Sequence, residues 1–375
     1  MHEAWPAAAP SKLVLVARIA VIGAGLIGLS CAWQLARERH RVALYDSTRS
    51  PRAASWAAAG MLAPHHEAED DGPLWRLCAA GWEAWPDFLA ELEVAPAELD
   101  WRAGGGWIRA ESAEELAREE ASRAWLRARG VEVLRLAPSA WARACPGLDP
   151  GAGALWLPGG QVDPRRLLAC LQSAAHRLGV EDRTGIPVTA LAEGALRTAD
   201  GAAQAYDAIV LASGAWTPAL AELAGLSLSG SPIKGQLVRL SGPLQLPGFV
   251  RAGARYLLTR RDGSVIVGST MVDAGFDDSE DPQAIAELAA WARGIAPVLG
   301  GARITEHWAG LRPRLADGLP RIARVRPWLL LATGHFRNGV LLAPLTGRII
   351  ADLVAERRSP WSSVLGSSCA ESAHA

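Results

Sequence analysis

The chain has 375 residues, 38 basic and 39 acidic side chains, a formal net charge of −1 and an apolar half. That length accommodates one large or two medium domains with a sizeable core. The balanced charge gives no electrostatic reason to expect nucleic acid or an anionic membrane as partner, so a small molecule is the natural ligand.

Residues 1–17 form an Ala/Pro-rich extension with no basic region ahead of a clean apolar core, so a secretory signal is not expected and a cytoplasmic location is. The apolar run 13–33 is interrupted by Arg18 and three glycines, which argues against a membrane span. Residues 18–22 are apolar and β-rich, and Gly23-Ala-Gly25-Leu26-Ile27-Gly28 fits G-x-G-x-x-G. Helical periodicity then runs over 26–39, and a second strand over 41–45 ends at Asp46. Gly23 permits the tight turn, Gly25 lets a pyrophosphate approach the helix N-terminus, and Gly28 lets the helix pack on the sheet. Asp46, 23 residues beyond Gly23, stands where an acid accepts hydrogen bonds from an adenosine ribose. Strand, turn, helix, strand and acid together predict dinucleotide binding.

The small residues of Ser55-Trp-Ala-Ala-Ala59-Gly60-Met61 allow a second close backbone approach to that ligand. Segments 74–92 and 113–129 read as amphipathic helices, the second with a solvated Glu/Arg face. Asp163 followed by Pro164 reads as a helix cap with proline at the first helical position, leading a helix to Gly179. A buried strand at 208–212 runs into the small-residue turn Ser213-Gly-Ala-Trp216. Strands at 233–240, 255–259 and 264–269, with an Arg261-Asp-Gly263 turn, predict an antiparallel sheet outside the nucleotide layer. A helix over 283–299, strands at 303–310 and 328–333, and a last helix over 345–357 complete the chain. The nucleotide domain is therefore expected to be discontinuous, with the antiparallel sheet inserted.

Cys31, Cys78, Cys145, Cys170 and Cys369 lack C-x-x-C spacing, which argues against a zinc site or disulfide framework. The cluster His65-His66-Glu67-x-Glu69-Asp70-Asp71 lacks a helical His pair or a second ligand group. It reads as an acidic flap near the site, with no metal expected. Two late segments carry chemistry. In Trp308-Ala-Gly-Leu-Arg312-Pro-Arg314 an arginine precedes a proline in what reads as a turn-rich loop. Gly334-His335-Phe336-Arg337-Asn338-Gly339-Val340-Leu341 lies between a strand and the last helix. Two arginines on separate loops can clamp one carboxylate; ion bridges at the surface are the equal alternative.

These segments, IAVIGAGLIGLS with Asp46, SWAAAGMLAP, ASGAW, PIKGQ, HWAGLRPRLADGLP and GHFRNGVLLAPLTG, resemble the D-amino-acid oxidase superfamily of flavoproteins from about residue 18 to 353. Within it, AAAGMLAP and GHFRNGVLLAP are most similar to the glycine oxidases (ThiO) of the thiamine pathway. The resemblance implies an α/β fold. A Rossmann-type, glutathione-reductase-like FAD domain (18–90, 155–228, 308–360) would carry an inserted α+β antiparallel-sheet substrate domain (91–154, 229–307), with a tail at 361–375. It implies noncovalent FAD, since no cysteine falls in 306–315 where sarcosine-oxidase relatives tether theirs. It also implies oxidation of glycine to iminoglycine, which yields glyoxylate and ammonia while oxygen becomes hydrogen peroxide; sarcosine or a small D-amino acid is the alternative substrate.

Family FAD contacts carry over onto Leu26, Ile27, Asp46, Ser47, Ala54, Ser55, Ala59, Gly60, Met61, Val188 and the loop His335, Phe336, Arg337, Asn338, Gly339, Val340 and Leu341, beside Gly23, Gly25 and Gly28. Ala54 and Trp56 stand where the family often has hydroxyl residues. The substrate carboxylate falls to Arg312 and Arg337 with Tyr256, a residue whose other reading is strand packing, and Met61 and Met271 are candidates for closing the space around Cα. No side-chain base is required, because the flavin carries the redox chemistry, and His335 is assigned no proton transfer. The family's homotetramers make a homo-oligomer an expectation of the resemblance alone.

Overall fold

The computed structural model describes residues 16–48, 53–67, 69–359 and 361. Most of the N-terminal extension, most of the expected tail and Cys369 lie outside the described residues.

The strand Arg18–Ile22 is the centre of a six-stranded sheet. Its order is Arg321–Arg326, Leu329–Thr333, Ala208–Leu211, Arg18–Ile22, Arg41–Asp46, Glu181–Thr184, parallel except for the first pair. Alternation along each strand supplies both faces. Ile19, Val21, Val42 and Leu44 pack under the helices Leu26–Arg37, Pro164–Arg177 and Gly339–Val354. Ala20, Ile22, Ala43 and Tyr45 face the three-stranded meander Val188–Ala192, Ala195–Thr198, Ala203–Ala205 through Leu191, Leu196 and Tyr206. This is the helix, parallel sheet and meander layering of a glutathione-reductase-like nucleotide domain.

A second sheet of eight strands is ordered Ile304–Leu315, Gly230–Ser241, Ser264–Gly268, Arg255–Thr259, Phe249–Ala252, Gly106–Ala110, Gly153–Leu157, Leu134–Leu136. It is antiparallel apart from the Phe249–Ala252 and Gly106–Ala110 pair. One face buries Val238, Leu240, Val265 and Val267 against the helix Pro282–Ile295. The other turns Leu237, Tyr256, Leu258 and Trp308 toward Ala57 and Ala59 of the nucleotide layer.

Several expected elements are corrected. Segment 74–92 is two helices, Pro73–Glu83 and Trp85–Leu92, because Pro86 cannot continue the hydrogen bonding of the first. Segment 113–129 breaks into Ala113–Ala121 and Ala124–Ala128, where Arg123 turns inward to donate to the His66 carbonyl at 2.9 Å. The last helix starts at Gly339 rather than 345, with Pro344 inside its second turn. Arg312 lies in a twelve-residue strand rather than a loop. The two prolines that would interrupt this pairing, Pro232 and Pro313, lie opposite each other, so the disruption is confined to one rung. Gly153–Leu157 and Ile304–Leu315 both belong to the eight-stranded sheet. No helix among the described residues is long and apolar enough to cross a membrane.

Four histidines are buried among the described residues: His40, His65, His66 and His335. Burial pushes His65 down to about 4 and His66 and His335 down to about 3. The unfolded chain takes up these protons below about pH 6.5 while the folded one does not. Their contribution to stability is therefore full above that pH and is lost as pH falls toward 3–4. His66 packs against Phe249 at 4.7 Å. We expect His66→Phe to narrow the loss of urea-measured stability between pH 7 and pH 5 by about 2 kcal/mol.

Candidate active site

A single cavity of about 880 Å³ runs from the glycine-rich turn to the inner face of the eight-stranded sheet. At the nucleotide end its form is set by absent side chains. Gly23 has φ +114°, and a Cβ there would stand 2.4 Å from the Ala212 carbonyl oxygen, while one on Gly28 would meet the Gly23 carbonyl at 1.7 Å. The turn, the helix Leu26–Arg37 and the strand Ala208–Leu211 thus close on one another only with glycine at both positions. Asp46 accepts from the Ala24 N–H at 2.8 Å through one oxygen and from the Thr48 N–H at 3.0 Å through the other. Ser55 Oγ accepts from the Leu26 N–H at 3.0 Å, at the N-terminus of the first helix. Its own O–H is left to donate onward, so hydroxyl and helix dipole together suit an anion. Asp46, Ser47 and Val188 line the same end.

The substrate end lies on the inner face of the antiparallel sheet. Arg312 is half-buried in the cavity wall, and desolvation lowers its pKa from the usual arginine range. It donates through Nη2 to Ser269 Oγ at 2.8 Å and through Nη1 to the Thr270 carbonyl at 3.2 Å. Both acceptors are neutral, and no carboxylate among the described residues lies in ion-pair contact with it. Gly235 makes the room: a Cβ there would stand 2.1 Å from Arg312 Nη2. Gly268 does the same for Tyr256, whose hydroxyl would lie 2.5 Å from a Cβ at that position. Tyr256 is buried, which raises its pKa and keeps the phenol protonated, and the charges of Arg312, Arg337 and Glu67 all act on it.

Arg337 enters from the loop between Leu329–Thr333 and the last helix, where Phe336 adopts φ +47° and Gly334 φ +76°. It pairs with Glu67 at 2.7 Å and touches Met271 Sδ at 3.7 Å. His335 Nε2 is hydrogen-bonded to Thr346 Oγ1 at 3.0 Å, and at about 3 its pKa leaves the ring neutral. With Asn338 preceding the helix, the N–H groups of Gly339, Val340 and Leu341 lack intrahelical acceptors, and Gly339 and Val340 reach the cavity wall.

Of the sequence-predicted residues, the cavity brings together Gly23, Gly25, Ile27, Asp46, Ser47, Ala54, Ser55, Ala59, Gly60, Met61, Val188, Tyr256, Arg312 and the stretch from His335 to Val340. Leu26, Gly28 and Leu341 stand behind its wall. The Leu26 and Leu341 side chains are core, and the Leu341 carbonyl accepts from Trp85 Nε1 at 3.1 Å. Met271 is exposed at the edge of Arg337. Sequence reasoning missed Glu67 as the partner of Arg337, having assigned it to the acidic flap, and missed Gly235 and Ser269 as the setting of Arg312. The glycine in PIKGQ was the available signal. Among the described residues no group of side chains could hold a metal ion.

A parallel nucleotide sheet with a glycine-closed anion turn, opening into a cationic pocket on a second sheet, defines a dinucleotide-binding protein with a second pocket beside the nucleotide groove. Residues 18–353 match the FAD dependent oxidoreductase family (DAO), and the chain belongs to that family; FAD is its cofactor. The chain is 32% identical to the glycine oxidase of Geobacillus kaustophilus over 92% of its own length and 94% of that protein's. It is 33% identical to a bifunctional ThiO/ThiG protein of Synechocystis over 91% of itself and 52% of the relative. Among solved structures, the glycine oxidase from G. kaustophilus superposes with a TM-score of 0.86 over 92% of this chain and 96% of that one. Iminodiacetate oxidase from Chelativorans, 28% identical, gives 0.84 over 92% and 98%. The glycine-closed turn, the Asp46 carboxylate and the length of the cavity fit FAD.

We expect Gly235→Ala to displace the Arg312 guanidinium while leaving the nucleotide end untouched. Affinity for a small carboxylate, titrated against the FAD-loaded protein, should fall at least about tenfold, with FAD affinity changing less than about twofold.

Proposed function

We propose that the protein is an FAD-dependent glycine oxidase that supplies thiazole synthesis in thiamine formation. The observation that carries the reading is Arg312, a half-buried cation with neutral hydrogen-bond partners, set in the wall of the cavity that receives the dinucleotide. A desolvated charge without a counterion is costly, and a substrate carboxylate is the group that completes it. The Tyr256 phenol is a second donor. Arg337 is already neutralised by Glu67, so the pocket offers one uncompensated positive charge and matches one carboxylate.

The substrate is small because the room beside the anchor is taken by Arg312 and Tyr256 themselves, each filling the space over a glycine, and by Met61. FAD, when bound, supplies the two-electron acceptor that oxygen regenerates. Glycine loses two electrons and two protons to become iminoglycine, and water then gives glyoxylate and ammonia. Oxygen takes up two electrons and two protons as hydrogen peroxide. The chain's own residues orient the substrate: Arg312 and Tyr256 hold the carboxylate and so fix where Cα lies, a contribution of proximity rather than of acid-base work. His335 Nε2 is already hydrogen-bonded to Thr346, and the ring is assigned no proton transfer. We extend the proposal to a cytoplasmic enzyme, tested by fractionation of the source cells, and to a homotetramer, tested by sedimentation of the purified protein.

Anaerobic mixing of FAD-loaded protein with glycine, sarcosine, D-alanine and D-proline, followed by air, tests the activity. Bleaching of the flavin band by glycine, with peroxide formed on aeration, is expected; absence of bleaching by glycine overturns the reading. Arg312→Met should raise the glycine concentration for half-maximal reduction by about 30-fold or more.

A further inference from the structure

Arg165 has no part in the chemistry above, yet it stands in the cavity wall where the two sheets meet. It occupies the first turn of the helix Pro164–Arg177, whose start is anchored to the nucleotide layer. Asp163 caps the Arg165 N–H at 2.9 Å, the Val162 N–H donates to the Gly60 carbonyl at 2.9 Å, and Arg260 ties the Val162 and Ala59 carbonyls together. The guanidinium reaches across. Its carbon lies 3.6 Å from the ring centre of Trp56 and 4.6 Å from that of Trp308, and Nη1 pairs with Glu306 at 2.8 Å.

Glu306 and Trp308 lie on Ile304–Leu315, and with a two-residue period Glu306, Trp308, Gly310 and Arg312 share one face of that strand. Every one of them is engaged on that side. Glu306 meets Arg165, Trp308 Nε1 donates to the Ala57 carbonyl at 2.8 Å, and Gly310 lies so close that a Cβ would stand 2.4 Å from Ala57 Cβ. Arg312 is the next residue of that face, about 13 Å along the strand from Trp308.

We propose that Arg165 is a positioning residue. Packed into the corner made by the T-shaped Trp56 and Trp308 rings and bridged to Glu306, it clamps the Ala54–Ala57 turn of the cofactor cavity to the strand that carries the carboxylate anchor, and so sets Arg312 in register with the cofactor. A cation against two indoles suits this task because both rings attract it at once. Arginine stacks where lysine presents only a point charge. The inference rests on the reading of Arg312 as a carboxylate anchor, but not on glycine being the substrate.

The test uses the FAD-loaded full chain and acetate as an unreactive carboxylate. Acetate is expected to perturb the flavin absorption band of the unsubstituted protein. In Arg165→Met it should bind within about threefold of the original affinity, because Arg312 and Tyr256 remain, while the size of the band change falls to half or less. Arg165→Lys should recover part of the loss. The rate of anaerobic reduction by glycine at saturation, per bound flavin, should fall about tenfold or more in Arg165→Met, and this loss should shrink to less than twofold in an Arg312→Lys background. Both readouts count only bound flavin, so a merely destabilised fold does not move them.

An unchanged acetate signal in Arg165→Met, no acetate signal in the unsubstituted protein, or an equal loss in the Arg312→Lys background overturns the proposal. A wild-type flavin that responds to acetate but is not reduced by glycine would instead count against the glycine reading alone. If Arg165→Met does not retain FAD, Glu306→Gln carries the test: a smaller acetate signal is expected, and an unchanged one overturns the clamp.

Discussion

The structure depends on one face of one strand lying against one turn. Ile304–Leu315 is an edge strand of the eight-stranded sheet, and its inner face meets the Ala54–Ala57 turn of the nucleotide layer at van der Waals distance or less for any larger side chain. This contact puts Arg312 and a dinucleotide groove into one cavity. Gly310 permits the approach, and Trp308 fixes it through the Ala57 carbonyl. The long pairing of this strand with Gly230–Ser241 makes the placement rigid, and Gly235 on the partner strand clears the space that Arg312 fills.

Electrostatics then separates the two ends. At the nucleotide end the positive character comes from backbone N–H groups and a helix terminus, and Asp46 accepts from the Ala24 N–H. At the other end it comes from Arg312, a half-buried cation whose hydrogen-bond partners are neutral. The Arg337 and Glu67 pair keeps the mouth neutral. The buried histidines remain uncharged near neutral pH, so none competes with a substrate carboxylate for the arginine.

Much of the nucleotide layer was legible from sequence because its signals are local. Residues 18–46 encode strand, turn, helix and acid within one short span, and Gly23 and Gly28 stand where no other side chain fits. Asp163 with Pro164 announced a helix start that the structure shows capped through the Arg165 N–H. The substrate sheet was harder, because its strands pair across long separations. Arg312 read as a loop residue since Pro313 follows it, and only the register, which sets Pro232 opposite Pro313, shows how a strand absorbs the proline. Gly339 read as the end of the loop before a helix at 345, whereas the helix begins at Gly339 and holds Pro344 in its second turn. The Glu67 and Arg337 pair brings together residues 270 positions apart, which no periodicity reveals.

The most direct test of the account is a crystal structure of the FAD-loaded protein with acetate bound. The account predicts the acetate carboxylate within about 2.7–2.9 Å of the Arg312 guanidinium, with its methyl group toward the flavin and the Arg337–Glu67 pair intact. Acetate seated on Arg337 with Glu67 displaced, or Arg312 still bonded only to Ser269 and Thr270 while acetate lies elsewhere, would contradict it.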